Sequence, residues 1–277
     1  MKLSPAELSY LKASLSEKEP IRPDGRSVSQ FRPLEASIDF LPLANGSSRI
    51  RTSDGSECIV GVKAKVVQTE KEASLVSVDV DITGMRDDSP LLTLLSSIFE
   101  TNLNKSAKLR EALRLTSKYS FKLFIDGLIL SHSSHPLNLL SFAIYLALKS
   151  TRLPLLTSSV EDSAQEEVPT FNDDWDESIL LREKYSSPLF FLAAVVGETI
   201  LLDPTNVEES VSETGIIATF GVGCVRMISL GGSTRDLSRE VISRALKLIN
   251  DNGKQLVNAL DTVVDSREHD DASISVF

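Results

Sequence analysis

The stretch Leu137-Asn-Leu-Leu-Ser-Phe-Ala-Ile-Tyr-Leu-Ala-Leu148 constrains the fold more than any other part of the sequence. Pro136 stands before it as a helix opener, and the helix that follows is apolar on nearly every side. Such a helix is stable in water only when other elements cover it all round. It falls well short of the roughly 20 apolar residues that span a bilayer. The chain must therefore be layered, with this helix in the middle, and 277 residues suffice to build layers on both sides of it.

The flanking patterns say what those layers are. Residues 4–18 combine Ser4 as an N-cap, Pro5 at the first helical position and Leu8, Leu11 and Leu15 at helical spacing, which predicts an amphipathic helix docked on the main body. Pro20, Pro23, Gly25 and Pro33 then punctuate a non-helical lead-in that carries Arg22, Asp24, Arg26 and Arg32. From 35 to 82 the apolar period is two. Cys58, Val60, Val62, Ala64 and Val66 alternate with a second set containing Lys63 and Lys65, and Val76, Val78, Val80 and Ile82 oppose Ser77, Asp79 and Asp81, which predicts half-buried antiparallel strands. Asp54-Gly55, between apolar stretches, supplies a hairpin turn ahead of the first of them. Helical spacing returns over 88–103, a strand follows at 119–130, and a polar loop at Ser131 to His135 leads into the apolar helix. Short strands at 188–196, 199–203, 213–220 and 224–230 then precede a long amphipathic helix over 236–264, in which Gly253 marks a kink. Strands followed by helix, twice over, predict an α+β fold of two pseudo-repeated halves, with mixed and antiparallel strands packed on helices. The units are an N-terminal helix at 1–19, a first half at 20–160, an acidic connector at 161–185, a second half at 186–265 and a flexible tail at 266–277.

Charge and cysteine content narrow the function. Lys and Arg number 29 against 39 Asp and Glu, a net charge of −10, so the surface as a whole does not suit nucleic acid. The first ten residues lack the apolar run of a secretory signal, which predicts a soluble intracellular protein. Cys58 and Cys224 are far apart and form no disulfide framework or zinc motif; both read as small hydrophobes. His132 and His135 lack metal-ligand spacing, and alternation alone puts Asp79 and Asp81 on the solvent side of their strand. No cofactor is expected. The acidic run within 161–177 reads as a solvated loop, with docking of a basic partner as the alternative.

Several motifs occur together in a telling order. Ile21-Arg22-Pro23-Asp24-Gly25-Arg26, Phe31-Arg32-Pro33, Asn45-Gly46-Ser47-Ser48 and Leu202-Asp203-Pro204-Thr205 followed by Glu208-Glu209 resemble RNase PH-type proteins, and within them the ring subunits of the eukaryotic RNA exosome. The resemblance covers about residues 20–264. It implies an RNase PH-like fold that assembles pairwise with other RNase PH-like subunits into a hexameric ring around an RNA channel. It also implies S1/KH-type cap subunits, an associated nuclease, and residence in nucleus, nucleolus and cytoplasm with no membrane contact. Sheet edges and apolar helix faces are then covered by ring neighbours.

Active members of that family attack the terminal phosphodiester with phosphate held by a Gly-Gly-Thr-Arg-Thr-Ala-Ser-type loop. This chain has His132-Ser133-Ser134-His135-Pro136-Leu137-Asn138 in the matching place. The glycines are gone, a His of ordinary pKa replaces the permanently charged Arg, and Pro136 removes a backbone donor. Of the paired Asp residues in active relatives, one is Glu209 here and the other Gly215. The expectation is a noncatalytic subunit acting in 3′-to-5′ RNA processing and decay, ribosomal RNA maturation included. The alternative is an active phosphate-dependent exoribonuclease working through Glu209 or Glu213. Between 105 and 122, six Lys and Arg face Glu111 alone, so Lys105, Lys108, Arg110 and Arg114 are candidates for nonspecific RNA-backbone contact. Arg86 joins them because it matches an RNA-contacting Arg of relatives.

Overall fold

The computed structural model describes residues 3–17, 19–157, 169–172, 174, 177–220, 223–231 and 237–274. Most of the acidic run within 161–177, and with it the docking alternative, lies outside the described residues.

Two sheets sandwich the apolar helix. Strands β1 (Leu34–Ile38), β2 (Gly46–Thr52), β3 (Glu57–Gln68), β4 (Val76–Ile82) and β5 (Tyr119–Ser131) form the first, in the order β1-β2-β3-β5-β4. The Asp54-Gly55 turn joins β2 to β3, with Gly55 at φ 83°. Helices α2 (Pro90–Lys105) and α3 (Ala107–Ala112) connect β4 to β5, and these two strands run parallel, not antiparallel as the alternation predicted. The reason is the connection: two helices carry the chain back to the end where it started, whereas a period of two reports exposure and not direction.

The apolar helix, α4 (Leu137–Ser150), is buried at every residue except Lys149, as its composition requires. It lies on β2 and β3 on one side and on β8 (Phe190–Val196) on the other. The few polar side chains in it have defined duties. Asn138 Oδ1 accepts the Leu192 amide at 2.7 Å, and Ser141 Oγ accepts the Phe190 amide at 2.8 Å, which satisfies the part of β8 that no β9 residue pairs. Close approach on the other side depends on Gly46, where a Cβ would stand 2.5 Å from the Ala147 carbonyl oxygen.

β8 belongs to the second, wholly antiparallel sheet, β11-β10-β8-β9, with β9 at Thr199–Leu202, β10 at Thr214–Thr219 and β11 at Gly223–Ile228. Two-residue strands β6 (Arg152–Leu153) and β7 (Ile179–Leu180) pair to hold the ends of the connector together. One continuous apolar core runs through both halves, from Ile38 and Ile50 to Leu260 and Val264. The N-terminal helix α1 (Pro5–Leu15) has a full capping box between Ser4 and Glu7. It drives Leu15 into a separate cluster with Ala194, Val196, Leu201 and Val211.

The C-terminal helix differs from expectation in two respects. α6 spans Arg239–Ile274, past Ser266 where the sequence placed a tail, because no Pro or Gly interrupts 254–274. Gly253 serves close packing: a Cβ there would meet the Phe220 ring at 2.7 Å. The short helix α5 (Asn206–Val211), unpredicted, fits between β9 and β10. Among the described residues no helix is long and apolar enough to cross a membrane.

Candidate functional site

Three arginines of the lead-in segment converge on the β9–α5 corner. Pro20, Pro23, Gly25 (φ 74°) and Pro33 keep this segment out of a helix, so it can wrap the second half. Arg22 is 2% exposed and Glu208 0%. They form a two-pronged pair, Nε to Oε1 at 2.7 Å and Nη2 to Oε2 at 2.8 Å. The remaining Arg22 protons reach the carbonyls of Ser27 and Leu202, both at 3.1 Å, and of Asp203 at 3.0 Å. Glu208 also caps α5, its Oε2 accepting the Thr205 amide at 2.8 Å. Every buried charge in this pair is thus matched.

Asp203 sits beside it in the left-handed region, φ 49°, and collects the other two arginines. Arg26 donates to its carboxylate at 3.1 Å, and Arg32 donates from Nε at 2.9 Å, from Nη2 at 2.7 Å and from its own amide at 2.8 Å. Burial alone would raise the Asp203 pKa; the hydrogen bonds and charge of Arg32 outweigh it and hold the carboxyl below its usual range.

Arg32 also reaches the loop that would cradle phosphate in an active relative. Its Nη2 donates to Ser134 Oγ at 2.8 Å and its Nη1 pairs with Asp54 at 2.5 Å. Asp54 in turn accepts the Ser133 hydroxyl, the Thr52 hydroxyl at 2.5 Å and the Ser56 amide at 3.1 Å. Although burial opposes it, these bonds and Arg32 hold Asp54 well below the ordinary carboxylate range. Three of the loop's own amides are occupied as well. Ser133 N–H donates to Ser56 Oγ at 3.1 Å, His135 N–H to Glu209 Oε1 at 2.8 Å, and Leu137 N–H to His135 Nδ1 at 3.3 Å. The void left between Arg32, Ser134, His135 and Asp203 is about 20 Å³, room for roughly one water. A phosphate there would displace bonds already made and face Asp54, Asp203 and Glu209.

Glu209 and His135 are both pushed toward neutrality. Desolvation raises Glu209 to about 7, against the His135 amide and Arg32, which favour its charge. Desolvation lowers His135 to about 4, helped by His132. At neutral pH the imidazole is therefore uncharged, as its substitution for an Arg suggested. Cys58 is buried and its thiol is pushed up to about 12 by burial, which rules it out as a nucleophile.

The carboxylate positions of active relatives have other occupations here. Glu213 pairs with Lys12 of α1 at 2.7 Å. Gly215 is packed shut: a Cβ would lie 2.9–3.0 Å from Leu230, Ile228 and Leu192. The sequence reading missed Glu208 as the central acid, although Thr205-x-x-Glu208 carries the signature of a capping box.

The basic candidates do not form one helix face. Lys105 ends α2 and Lys108 lies in α3; both line a cleft against the Tyr185–Leu189 segment. Arg110 folds back on the Asn104 carbonyl at 3.2 Å and Arg114 on that of Thr116 at 3.3 Å, both exposed. Arg86 stands on the β4–α2 loop, its side chain 88% exposed beside Asp88. Lys122 is paired with Glu72 at 2.6 Å.

Comparison with known proteins agrees with this geometry. Residues 30–154 match the 3′ exoribonuclease family, domain 1. The chain is 43% identical over 269 residues to the exosome complex component RRP42 of Saccharomyces cerevisiae, covering 95% of this chain and 100% of that protein. It is 29% identical over 290 residues to the exosome complex component rrp42 of Schizosaccharomyces pombe, covering 95% and 96%. An archaeal exosome core superposes with TM-score 0.67 at 19% identity, over 92% of this chain and 96% of that one. An Archaeoglobus fulgidus exosome with RNA bound to the active site gives TM-score 0.65 at 18% identity, over 92% and 97%.

Two outcomes are expected. Arg22→Met leaves Glu208 buried and unpaired, so urea denaturation should show a loss of about 3–5 kcal/mol, most of it recovered in Arg22→Met/Glu208→Leu. Glu209 has a folded pKa above its unfolded value, so the folded state holds the extra proton and loses stability as pH rises from about 4.5 to about 7. Glu209→Gln keeps the acceptor for His135 and lacks that titration. Its stability relative to wild type should increase across that interval and then level off; His135 titrates in both proteins and drops out of the difference.

Proposed function

The chain belongs to the Rrp42 family of RNase PH-fold exosome proteins, and from that premise we propose that it is a noncatalytic subunit of the ring. One observation carries this reading: where an active relative would bind phosphate, Ser133, His135 and Arg32 are already bound to this chain's Asp54, Glu209 and Asp203. Phosphorolysis needs an attacking anion held in place, and electrostatics at this corner oppose one. The packing of Leu192, Ile228 and Leu230 around Gly215 adds to the argument, since a carboxylate there would have to displace these side chains.

In this reading the chain supplies interface surface and part of the channel wall, and RNA contact falls to exposed arginines, Arg86, Arg110 and Arg114. Such contact is with the phosphate backbone and independent of base sequence, because few aromatic rings are offered for stacking. Neighbouring RNase PH-like subunits, S1/KH-type cap subunits and an associated nuclease complete the assembly, which processes and degrades RNA from its 3′ end, ribosomal RNA included. The nucleus, nucleolus and cytoplasm are the compartments this role requires.

Incubation of the protein with single-stranded RNA and inorganic phosphate should release no nucleoside diphosphate. Gly215→Asp should not create activity, and should cost at least about 2 kcal/mol by burying a carboxylate among aliphatic side chains. Robust release abolished by Glu209→Gln would establish the phosphorolytic alternative instead. In the assembled ring, Arg110→Glu/Arg114→Glu should weaken RNA binding and reduce its salt dependence by about one unit of slope per lost phosphate contact. An unchanged slope would remove RNA contact from this face.

A further inference from the structure

A second cleft, of about 480 Å³, lies between the end of α2, the start of α3 and the Tyr185–Leu189 segment. It shares no lining residue with the void at Ser134. Leu189, Phe220 and Val257 give it an apolar floor, and Lys105 and Lys108 stand at its rim. In a chain of net charge −10, no carboxylate among the described residues lines this cleft. Neither lysine has an ion-pair or hydrogen-bond partner among the described residues, whereas Lys12, Lys122 and Lys149 all do.

Part of the polar lining is unspent as well. The Tyr185 side chain is buried, 6% exposed, and its hydroxyl has no hydrogen-bond partner; the Ser106 hydroxyl is its polar neighbour. Burial pushes this phenol up to about 12, so it remains a donor at any physiological pH. Ser186, exposed on the adjoining extended segment, makes no hydrogen bond to the described residues through main chain or side chain. Cleft volume, apolar floor and a few convergent donors are the properties of a ligand site.

We propose that this cleft binds an acidic peptide segment of a protein partner, an apolar side chain resting on Leu189, Phe220 and Val257 while carboxylates meet Lys105 and Lys108. The exposed Ser186 amide donates to an acceptor on the same segment. Lys105, Lys108 and the Ser186 amide then each have a partner, and the charges are complementary. RNA fits less well. Tyr145 and Tyr185 are 2% and 6% exposed, so neither offers a ring face on which a base can stack. Lys105 and Lys108 are accordingly assigned here to peptide and not to RNA.

The probe is a fluorescein-labelled peptide of sequence Glu-Asp-Leu-Glu-Phe-Asp, titrated against the full chain by fluorescence polarisation. Saturable binding is expected, weakened about tenfold or more in Lys105→Glu/Lys108→Glu. Both substitutions are at exposed positions and should leave thermal unfolding unchanged. Ser186→Trp, which fills the cleft mouth, should abolish binding by a route independent of charge. A control peptide with its acidic residues replaced by Lys should not bind. Failure to saturate by about 1 mM, equal binding of the control peptide, or indifference to both variants would overturn the proposal. Displacement of the peptide by oligouridylate, lost in the same variants, would overturn it in favour of nucleic acid.

Discussion

The buried pair between Arg22 and Glu208 holds the architecture together at its least compact point. A segment with three prolines forms no secondary structure of its own, and without an anchor its backbone entropy would keep it off the protein. The anchor is a guanidinium that bonds both oxygens of one carboxylate and the carbonyls of Ser27, Leu202 and Asp203. Removing two charges from water is costly, and only geometry this complete offsets that cost. Such a pair adds little net stability compared with apolar packing. What it enforces is position, because any other placement of the lead-in segment leaves a charge buried and alone.

That positional demand propagates. With Arg22 fixed, Arg26 and Arg32 arrive at Asp203, and Arg32 continues to Ser134 and Asp54. One chain of charges therefore links the lead-in segment, the β2–β3 turn, the loop before α4 and the β9–α5 corner. The corner's ability to bind an external anion is spent in the process. Its cations are neutralised, the amides of Ser133, His135 and Leu137 are occupied, and Glu209 is partly protonated near neutrality because the same crowding desolvates it.

α4 makes the two halves one body. Its aliphatic side chains fill the space between the sheets, and Asn138 and Ser141 cap β8 amides that no strand reaches. A fully apolar helix would have left those amides buried and unsatisfied. The two polar residues in an otherwise greasy segment thus explain how a helix can serve as the edge partner of a sheet.

The element types were legible in the residues because apolar spacing responds directly to burial: period two for β3, β4 and β5, all-round apolarity for α4, a capping signal for α1. The proposed loss of the anion cradle likewise rests on residues visible in the sequence, Pro136, His135 and the absent glycines. Strand direction was not legible, since alternation in β4 is the same whether it runs parallel or antiparallel to β5. Nor was the role of Glu208, which depends on a partner 186 positions away in the chain. The cleft beside Tyr185 was equally hidden, because it joins residues from α2, α3, β10 and α6 that no local window contains. Local pattern reports how each segment meets water, and that much the amino-acid order determined unaided. Which charges meet, and which donors are left without a partner, is decided only when distant segments are brought together.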